Sequence, residues 1–221
     1  MINSLKKLLD YIYKKKCYFC SSSKDNSIFC STCYDAIDFL PFKPVETLSN
    51  ADIYSCFLYK ENIQKMIRAV KYHNKKELAI FQAALMFKYW QKINNKKDYY
   101  TVIPVPLHKE RLKQRKFNHM ELVAKEFCKL ANYDYEENLI LRVKNTVPQY
   151  KLSKKEREKN LSGAFKINTN IKLPDSILLI DDITTTGTTI SEIIKELNKI
   201  NLNDVTALTT AIPENNSFYI Y

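Results

Sequence analysis

The chain has 221 residues and a formal net charge of +11, with 45% hydrophobic and 27% charged residues. This composition excludes a disordered chain and indicates one medium globular domain with room for a small appendage. The positive charge favours an anionic partner such as nucleic acid, a phosphorylated metabolite or a membrane face, with a solvated lysine-rich surface as the alternative. Because no apolar run is long enough to span a bilayer and the first residues lack the pattern of a secretory signal, we expect a cytoplasmic protein.

The first residues predict an amphipathic helix. Its basic face could rest on anionic lipid, but packing against the rest of the chain is the preferred interpretation. We therefore expect membrane contact to be at most peripheral, at the inner face of the membrane. The apolar residues at helical spacing are Ile2, Leu5, Leu8, Leu9 and Ile12.

Four of the six cysteines form two C-x2-C pairs in the segment CYFCSSSKDNSIFCSTC. Two such pairs provide four thiolates for a tetrahedral metal, and the polar loop between them could not fold by burial alone. We predict a closed, structural Zn2+ site, with disulfides, redox dithiols and an iron–sulfur cluster as the alternatives. The predicted zinc ligands are Cys17, Cys20, Cys30 and Cys33, whereas Cys56 and Cys128 stand in apolar contexts typical of a core.

The rest of the chain alternates strands and helices, which predicts an α/β fold with an open, mostly parallel sheet flanked by helices. Residues 42–52 predict a linker because a proline and turn formers follow one another there. The predicted domains are therefore an N-terminal helix and zinc-binding module over residues 1–48, and a main domain over residues 49–221. Predicted strands cover residues 54–59, 99–107, 139–143, 176–183 and 205–212, and predicted helices cover residues 61–74, 76–93, 118–131 and 189–200.

The stretch ILLIDDITTTGTTI, residues 177–190, carries the clearest chemical signal. Its apolar half predicts a central strand buried on both faces, followed by Asp181 and Asp182 at the carboxyl end, where ligands bind in open α/β sheets. The threonine loop then leads into a helix whose first N–H groups and dipole favour an anion. The pattern predicts a sugar-phosphate site in which the carboxylates accept from hydroxyls or bind Mg2+. The alternative is a capped helix whose aspartates only accept backbone hydrogen bonds.

The segment IDDITTTGTT resembles the ribose-phosphate motif of type I phosphoribosyltransferases. The resemblance implies a phosphoribosyltransferase-like fold that binds phosphoribosyl pyrophosphate with Mg2+. By the same resemblance, Asp181 and Asp182 hold the ribose hydroxyls. The 5′-phosphate is then held by the loop residues Thr184, Thr185, Thr186, Gly187, Thr188 and Thr189.

Together with the cysteine module, two further segments resemble the ComF family of competence-associated proteins: IPVPLHKERLKQRKFNH at 103–119 and TVPQYKLSKKEREKNLSGAF at 146–165. The first stands where the family has its pyrophosphate loop, and it reads R-K-F-N-H where the family commonly has R-G-F-N-Q. The second resembles the family's mobile segment over the site, with Gln149, Arg157 and Asn160 at its polar positions. The pyrophosphate-loop candidates are Lys109, Arg111 and Arg115.

The ComF resemblance also implies a function in natural transformation. It suggests a DNA-uptake factor that binds single-stranded DNA on the cytosolic side of the membrane, together with a competence helicase or translocase. The residues define no pocket for an acceptor, so we assign no catalytic residue and leave enzyme activity open. The alternative function is a metabolic phosphoribosyltransferase acting on an unidentified base or amine.

Overall fold

The computed structural model describes residues 15–73, 75–93, 97–146 and 154–214. The predicted N-terminal helix and Gln149 lie outside these residues. The helices are α1 Ser31–Asp35, α2 Glu61–Tyr72, α3 Glu77–Trp90, α4 Lys109–Arg115, α5 His119–Ala131, α6 Lys154–Leu161 and α7 Thr188–Asn198. The strands are β1 Glu46–Leu48, β2 Ala51–Leu58, β3 Thr101–Pro104, β4 Asp134–Tyr135, β5 Ile140–Arg142, β6 Phe165–Ile167, β7 Ile177–Ile183 and β8 Val205–Ile212.

Six of these strands form one sheet in the order β1-β2-β8-β7-β3-β4. Every neighbouring pair is parallel except β1 and β2, which are antiparallel. Strands β5 and β6 form a separate antiparallel pair. The predicted fold class is confirmed: a mostly parallel sheet flanked by helices, consistent with a phosphoribosyltransferase-like fold, together with a small N-terminal four-cysteine cluster.

Strand β7 is buried on both faces, as its apolar sequence predicts. Ile177 and Leu179 pack into a core cluster with α7, whereas Leu178 and Ile180 pack into a cluster with α2, α3 and α5. All four side chains are fully buried. Because successive side chains of a strand point to opposite faces, the two acids that follow must also diverge.

The cysteine cluster packs into the same core as α2 and α3. Cys17, Phe29 and Cys33 belong to the cluster that contains Phe57 and Met66. At this contact, the ring of Phe29 meets the ring of Phe81 edge-on, with centroids 5.5 Å apart. The cluster is therefore continuous with the main core, and the division into two domains at residue 48 stays a prediction.

The linker predicted over residues 42–52 is wrong in its second half, which forms a β-hairpin. Strands β1 and β2 pair with Glu46 opposite Ile53. The turn residues Ser49 and Asn50 have φ of 48° and 68°, and a positive φ at both positions is typical of a two-residue type I′ turn. Asparagine tolerates this conformation better than most residues, so the turn signal was correct, but the strand before it and the first residues of the strand after it were missed.

Helix starts and strand ends otherwise follow the local sequence. Helix α5 begins at His119 because the side chain of Asn118 accepts a hydrogen bond from the Met120 N–H at 3.1 Å. Strand β3 ends at Pro104, as expected for a residue that cannot donate to a ladder. The basic segment from Lys109 to Arg115, predicted as a loop, is helix α4.

Among the described residues, no helix has the length and apolar character to cross a membrane.

Candidate functional site

The two acids of β7 point to opposite sides of the sheet and have different partners. Asp182 is 8% exposed, and its Oδ2 lies 2.5 Å from Lys71 Nζ at the end of α2. The same oxygen is hydrogen-bonded to Nε2 of His119, at the start of α5. Asp182 is therefore already paired from two helices before any ligand binds.

These partners determine the protonation of Asp182 and His119. Burial alone would raise the pKa of Asp182, but Lys71 and His119 outweigh it and hold that pKa well below its usual range. Burial lowers the pKa of His119, so its imidazole is neutral near pH 7. Because an ionised carboxylate can only accept, His119 must donate through Nε2. Its Nδ1 is buried and has no hydrogen-bond partner among the described residues.

Asp181 is half-buried and lines the cavity. Its Oδ1 accepts a hydrogen bond from the Asp182 N–H at 2.8 Å. Burial, and then the neighbouring charge of Asp182, raise the pKa of Asp181 to about 7. A bound cation or a hydroxyl donor would stabilise the ionised form of this carboxylate, so Asp181 is poised to respond to a ligand.

We expect Asp181→Asn to stabilise the free protein more near pH 8 than at about pH 5. The folded state holds a proton on Asp181 up to about pH 7, whereas the unfolded chain releases it near 3.8, so stability falls as pH rises between these values and stays low above them. Asparagine cannot ionise, so the variant avoids this loss of stability. Near pH 8 we expect its free energy of unfolding to be higher by about 2 kcal/mol, or its Tm by roughly 4–8 °C. Thermal melting at both pH values measures the effect, and an equal shift at the two would contradict it.

The threonine loop has the geometry expected of a phosphate-binding turn. Gly187 has φ 63° and immediately precedes α7, which begins at Thr188, within one residue of the predicted start. A side chain at this position would be strained by the positive φ, and its Cβ would lie 2.7 Å from Leu48 Cδ1 and 2.8 Å from Glu46 Oε2, both of which would have to move. The first N–H groups of α7 lack partners within the helix and lie beside this turn.

A cavity of about 460 Å3, here called the donor cavity, lies at the carboxyl edge of the sheet. Helix α6 contributes to it, with Arg157 Nη1 donating to Thr185 Oγ1 at 2.7 Å. The predicted site residues that line the cavity are Asp181, Asp182, Thr185, Thr189, Arg111 and Arg115. The others, Lys109, Thr184, Thr186, Gly187 and Thr188, are not part of its lining, and Thr186 and Thr188 line a neighbouring cavity behind the loop.

Three basic lining residues were not predicted as site residues: Lys71, His119 and Arg142. Arg142 donates through Nη2 to Thr146 Oγ1 at 2.6 Å, and Arg111 donates to the Thr146 carbonyl at 2.9 Å. Burial, and then the nearby charge of Arg111, lower the pKa of Arg142 to about 10. Cations crowded and desolvated in this way favour an anionic ligand.

Lys116 stands where the ComF pattern commonly has glycine. It takes the left-handed conformation that glycine would, with φ 66°, and ends α4. A residue with a Cβ pays about 1 kcal/mol or more for this conformation. The turn therefore keeps its left-handed geometry without the glycine, and the backbone of Lys116 is strained as a result.

The four predicted zinc ligands converge on one point. Their sulfur atoms all lie within 4.8 Å of one another, with 3.8 Å between Cys17 and Cys33 and 3.6 Å between Cys20 and Cys30. Four thiolates about 2.3 Å from one tetrahedral ion would be roughly 3.8 Å apart, and disulfide sulfurs about 2 Å apart. The cluster is compatible with a structural zinc. Cys56 and Cys128 are buried core residues, as predicted.

The fold and the order of acids and threonines along β7 and its loop define the class: a protein with a phosphoribosyltransferase-like fold and a four-cysteine cluster. No protein-family model matches the chain. The chain is 34% identical over 106 residues to Competence protein F of Haemophilus influenzae. This match covers 47% of the chain and 46% of that protein. It is 32% identical over 117 residues to Competence protein ComFC of Streptococcus pneumoniae, covering 52% and 49%.

A third relative is the DNA utilization protein YhgH of Escherichia coli K12, 28% identical over 92 residues, covering 42% of this chain and 40% of that protein. The matches thus span somewhat less than half the length of the curated relatives. The predicted resemblance to the ComF family is confirmed by these relatives and by the cysteine cluster.

Proposed function

We propose that the chain binds phosphoribosyl pyrophosphate with Mg2+ in the donor cavity, as part of a role in DNA uptake. The observation that carries this proposal is the lining of that cavity, which sets five cationic side chains against two carboxylates next to the threonine loop. A terminal phosphate group carries close to two negative charges and an internal one carries one, so a ligand with a 5′-phosphate and a diphosphate suits this excess. The cations are Lys71, Arg111, Arg115, Arg142 and Arg157.

The two kinds of group in the cavity correspond to the two halves of such a ligand. Thr185, Thr189 and the first turn of α7 would hold the 5′-phosphate, whereas the arginines would pair with the diphosphate. Asp181 would accept from ribose hydroxyls or bind Mg2+, which prefers carboxylate oxygens and phosphates. When bound, the metal would neutralise part of the charge of the diphosphate.

The role in DNA uptake rests on the relatives, which are named as competence and DNA utilization proteins. Under this proposal the chain binds single-stranded DNA on the cytosolic side of the membrane, where a competence helicase or translocase would be its partner. The net charge of +11 is consistent with DNA binding. A structural zinc in the four-cysteine cluster completes the proposal.

Calorimetric titration of the full chain with phosphoribosyl pyrophosphate tests the central claim. We expect saturable binding of one ligand per chain that weakens by about tenfold or more when Mg2+ is withheld, because uncompensated phosphate charge would then remain. Ribose 5-phosphate, which lacks the diphosphate, is the matched control ligand and should bind more weakly. Absence of binding, or equal affinity for both ligands, would contradict the proposal.

A further inference from the structure

A second cavity of about 410 Å3 adjoins the donor cavity and shares Lys71, Tyr72, Gln114 and Arg115 with it. Here it is called the basic groove. Its remaining lining residues are Lys76, Lys116 and Phe117. Four of the seven lining side chains are cationic, two are aromatic, and none is a carboxylate.

The two aromatic rings of the basic groove are each accompanied by a cation. The guanidinium carbon of Arg115 lies 5.0 Å from the centroid of the Tyr72 ring, and Lys76 Nζ lies 5.2 Å from that of Phe117. Tyr72 is 61% exposed, so its ring is open to a ligand from solvent. Rings with neighbouring cations at an open surface provide both a stacking face and a charge for phosphate.

The combination of cations and aromatic rings in the basic groove fits some classes of ligand better than others. A neutral acceptor base has no need of four cations, and an isolated phosphate has no need of ring faces. Duplex nucleic acid keeps its bases stacked internally, so it cannot use the rings either. A single strand, with unstacked bases and a phosphate at every residue, uses both.

We propose that the basic groove holds single-stranded nucleic acid, with bases against Tyr72 and Phe117 and phosphates on Lys76 and Lys116. The inference rests on the proposed function, because it gives a location to the DNA binding suggested there. The left-handed turn at Lys116 contributes to the groove, since it ends α4 and leaves Lys116 exposed.

Fluorescence anisotropy with a labelled oligothymidylate of about 16 nucleotides tests the inference. We expect Tyr72→Ala to weaken binding about tenfold with little change in its salt dependence, because a stacking contact is lost. Lys76→Ala and Lys116→Ala should each reduce the slope of log affinity against log salt by about 0.7, the value for one phosphate contact with a single strand. Because both lysines are exposed, these variants are expected to fold.

Matched controls come from the same chain. Tyr99→Ala removes a ring that is 51% exposed but lies before β3, at the opposite end of the sheet. Lys88→Ala removes an exposed lysine that lies over the ring of Tyr34 instead of Phe117. Both controls should bind like the wild type.

The outcomes separate the groove from the broader function. A wild-type chain that binds no oligonucleotide would overturn the DNA-binding part of the proposed function and the groove with it. Wild-type binding that the groove variants change no more than the controls do would overturn the groove alone. Equal affinity for duplex and single strand would also overturn it.

Discussion

Asp181→Asn combined with Asp182→Asn is expected to abolish binding of phosphoribosyl pyrophosphate, with at least a hundredfold loss of affinity. Hydrogen bonds to charged groups contribute about 1.5–3 kcal/mol each, and the double variant removes both carboxylates of the donor cavity. Calorimetry measures the loss. The conservative control is Asp204→Asn, which removes an acid paired with Lys97 just before β8, at the amino end of that strand.

The single variants make this result interpretable because their effects on folding differ in sign. Asp181→Asn should stabilise the chain, as argued above, so a loss of binding in that variant cannot result from unfolding. Asp182→Asn should destabilise it by about 3 kcal/mol, since Lys71, only 14% exposed, loses its partner. Wild-type affinity in a folded double variant would contradict the assignment of the donor cavity.

The pKa of Asp181 also predicts how binding depends on pH. If the ligand binds the ionised carboxylate, affinity should fall as pH decreases below about 7, by at most about tenfold for each unit. Binding would also release a proton near pH 7. Calorimetry in buffers of different ionisation enthalpy measures that release, and Asp181→Asn should remove it.

Metal removal is expected to destabilise the whole chain, and not only the N-terminal module. Because Cys17 and Cys33 share a core cluster with Phe57 and Met66, loss of the ion would expose side chains that pack against β2 and α2. Metal binding by a four-thiolate site is coupled to folding, with about 10 kcal/mol or more available from the ion. We expect a loss of at least about 3 kcal/mol in the free energy of unfolding, or incomplete folding.

Trp90 makes this effect measurable. It is the only tryptophan of the chain, it is 1% exposed, and its Nε1 donates to the hydroxyl of Tyr133, which follows α5. Its fluorescence should report that the core around α3 and α5 unfolds at a lower temperature after chelation, or in the variant Cys30→Ser. Cys128→Ala, a cysteine outside the cluster, should keep one zinc per chain. An unchanged Trp90 transition after stoichiometric zinc release would contradict the coupling.

The parts of the site that the sequence predicts are those with local signals. Asp181, Asp182 and the start of α7 are predicted because strand, acids, glycine and helix follow one another without interruption. Lys71 and Arg142 carry no such signal. Lys71 is one of several lysines near the end of an amphipathic helix, and only the packing of α2 against the sheet brings it to Asp182.

Two local features were present but misjudged. The pair Ser49 and Asn50 is a turn signal, yet the short strands on either side have three and eight residues and only the longer one was recognised. In KERLKQR, the charge of the segment obscured the fact that its residues are good helix formers. A three-residue strand and a seven-residue helix are both too short to be stable alone, so tertiary contacts decide whether they form.

The end of α2 connects three features of the molecule through consecutive residues. Lys71 reaches Asp182, Tyr72 lines the basic groove, and the Nδ1 atom of His73 lies 3.1 Å from the hydroxyl of Tyr18 within the cysteine cluster. These three consecutive residues therefore set the spacing between the acid of the donor cavity, the exposed ring and the four-cysteine segment. The contact of His73 with Tyr18 thus helps to define the distance at which a sugar phosphate and a single strand would be held from each other.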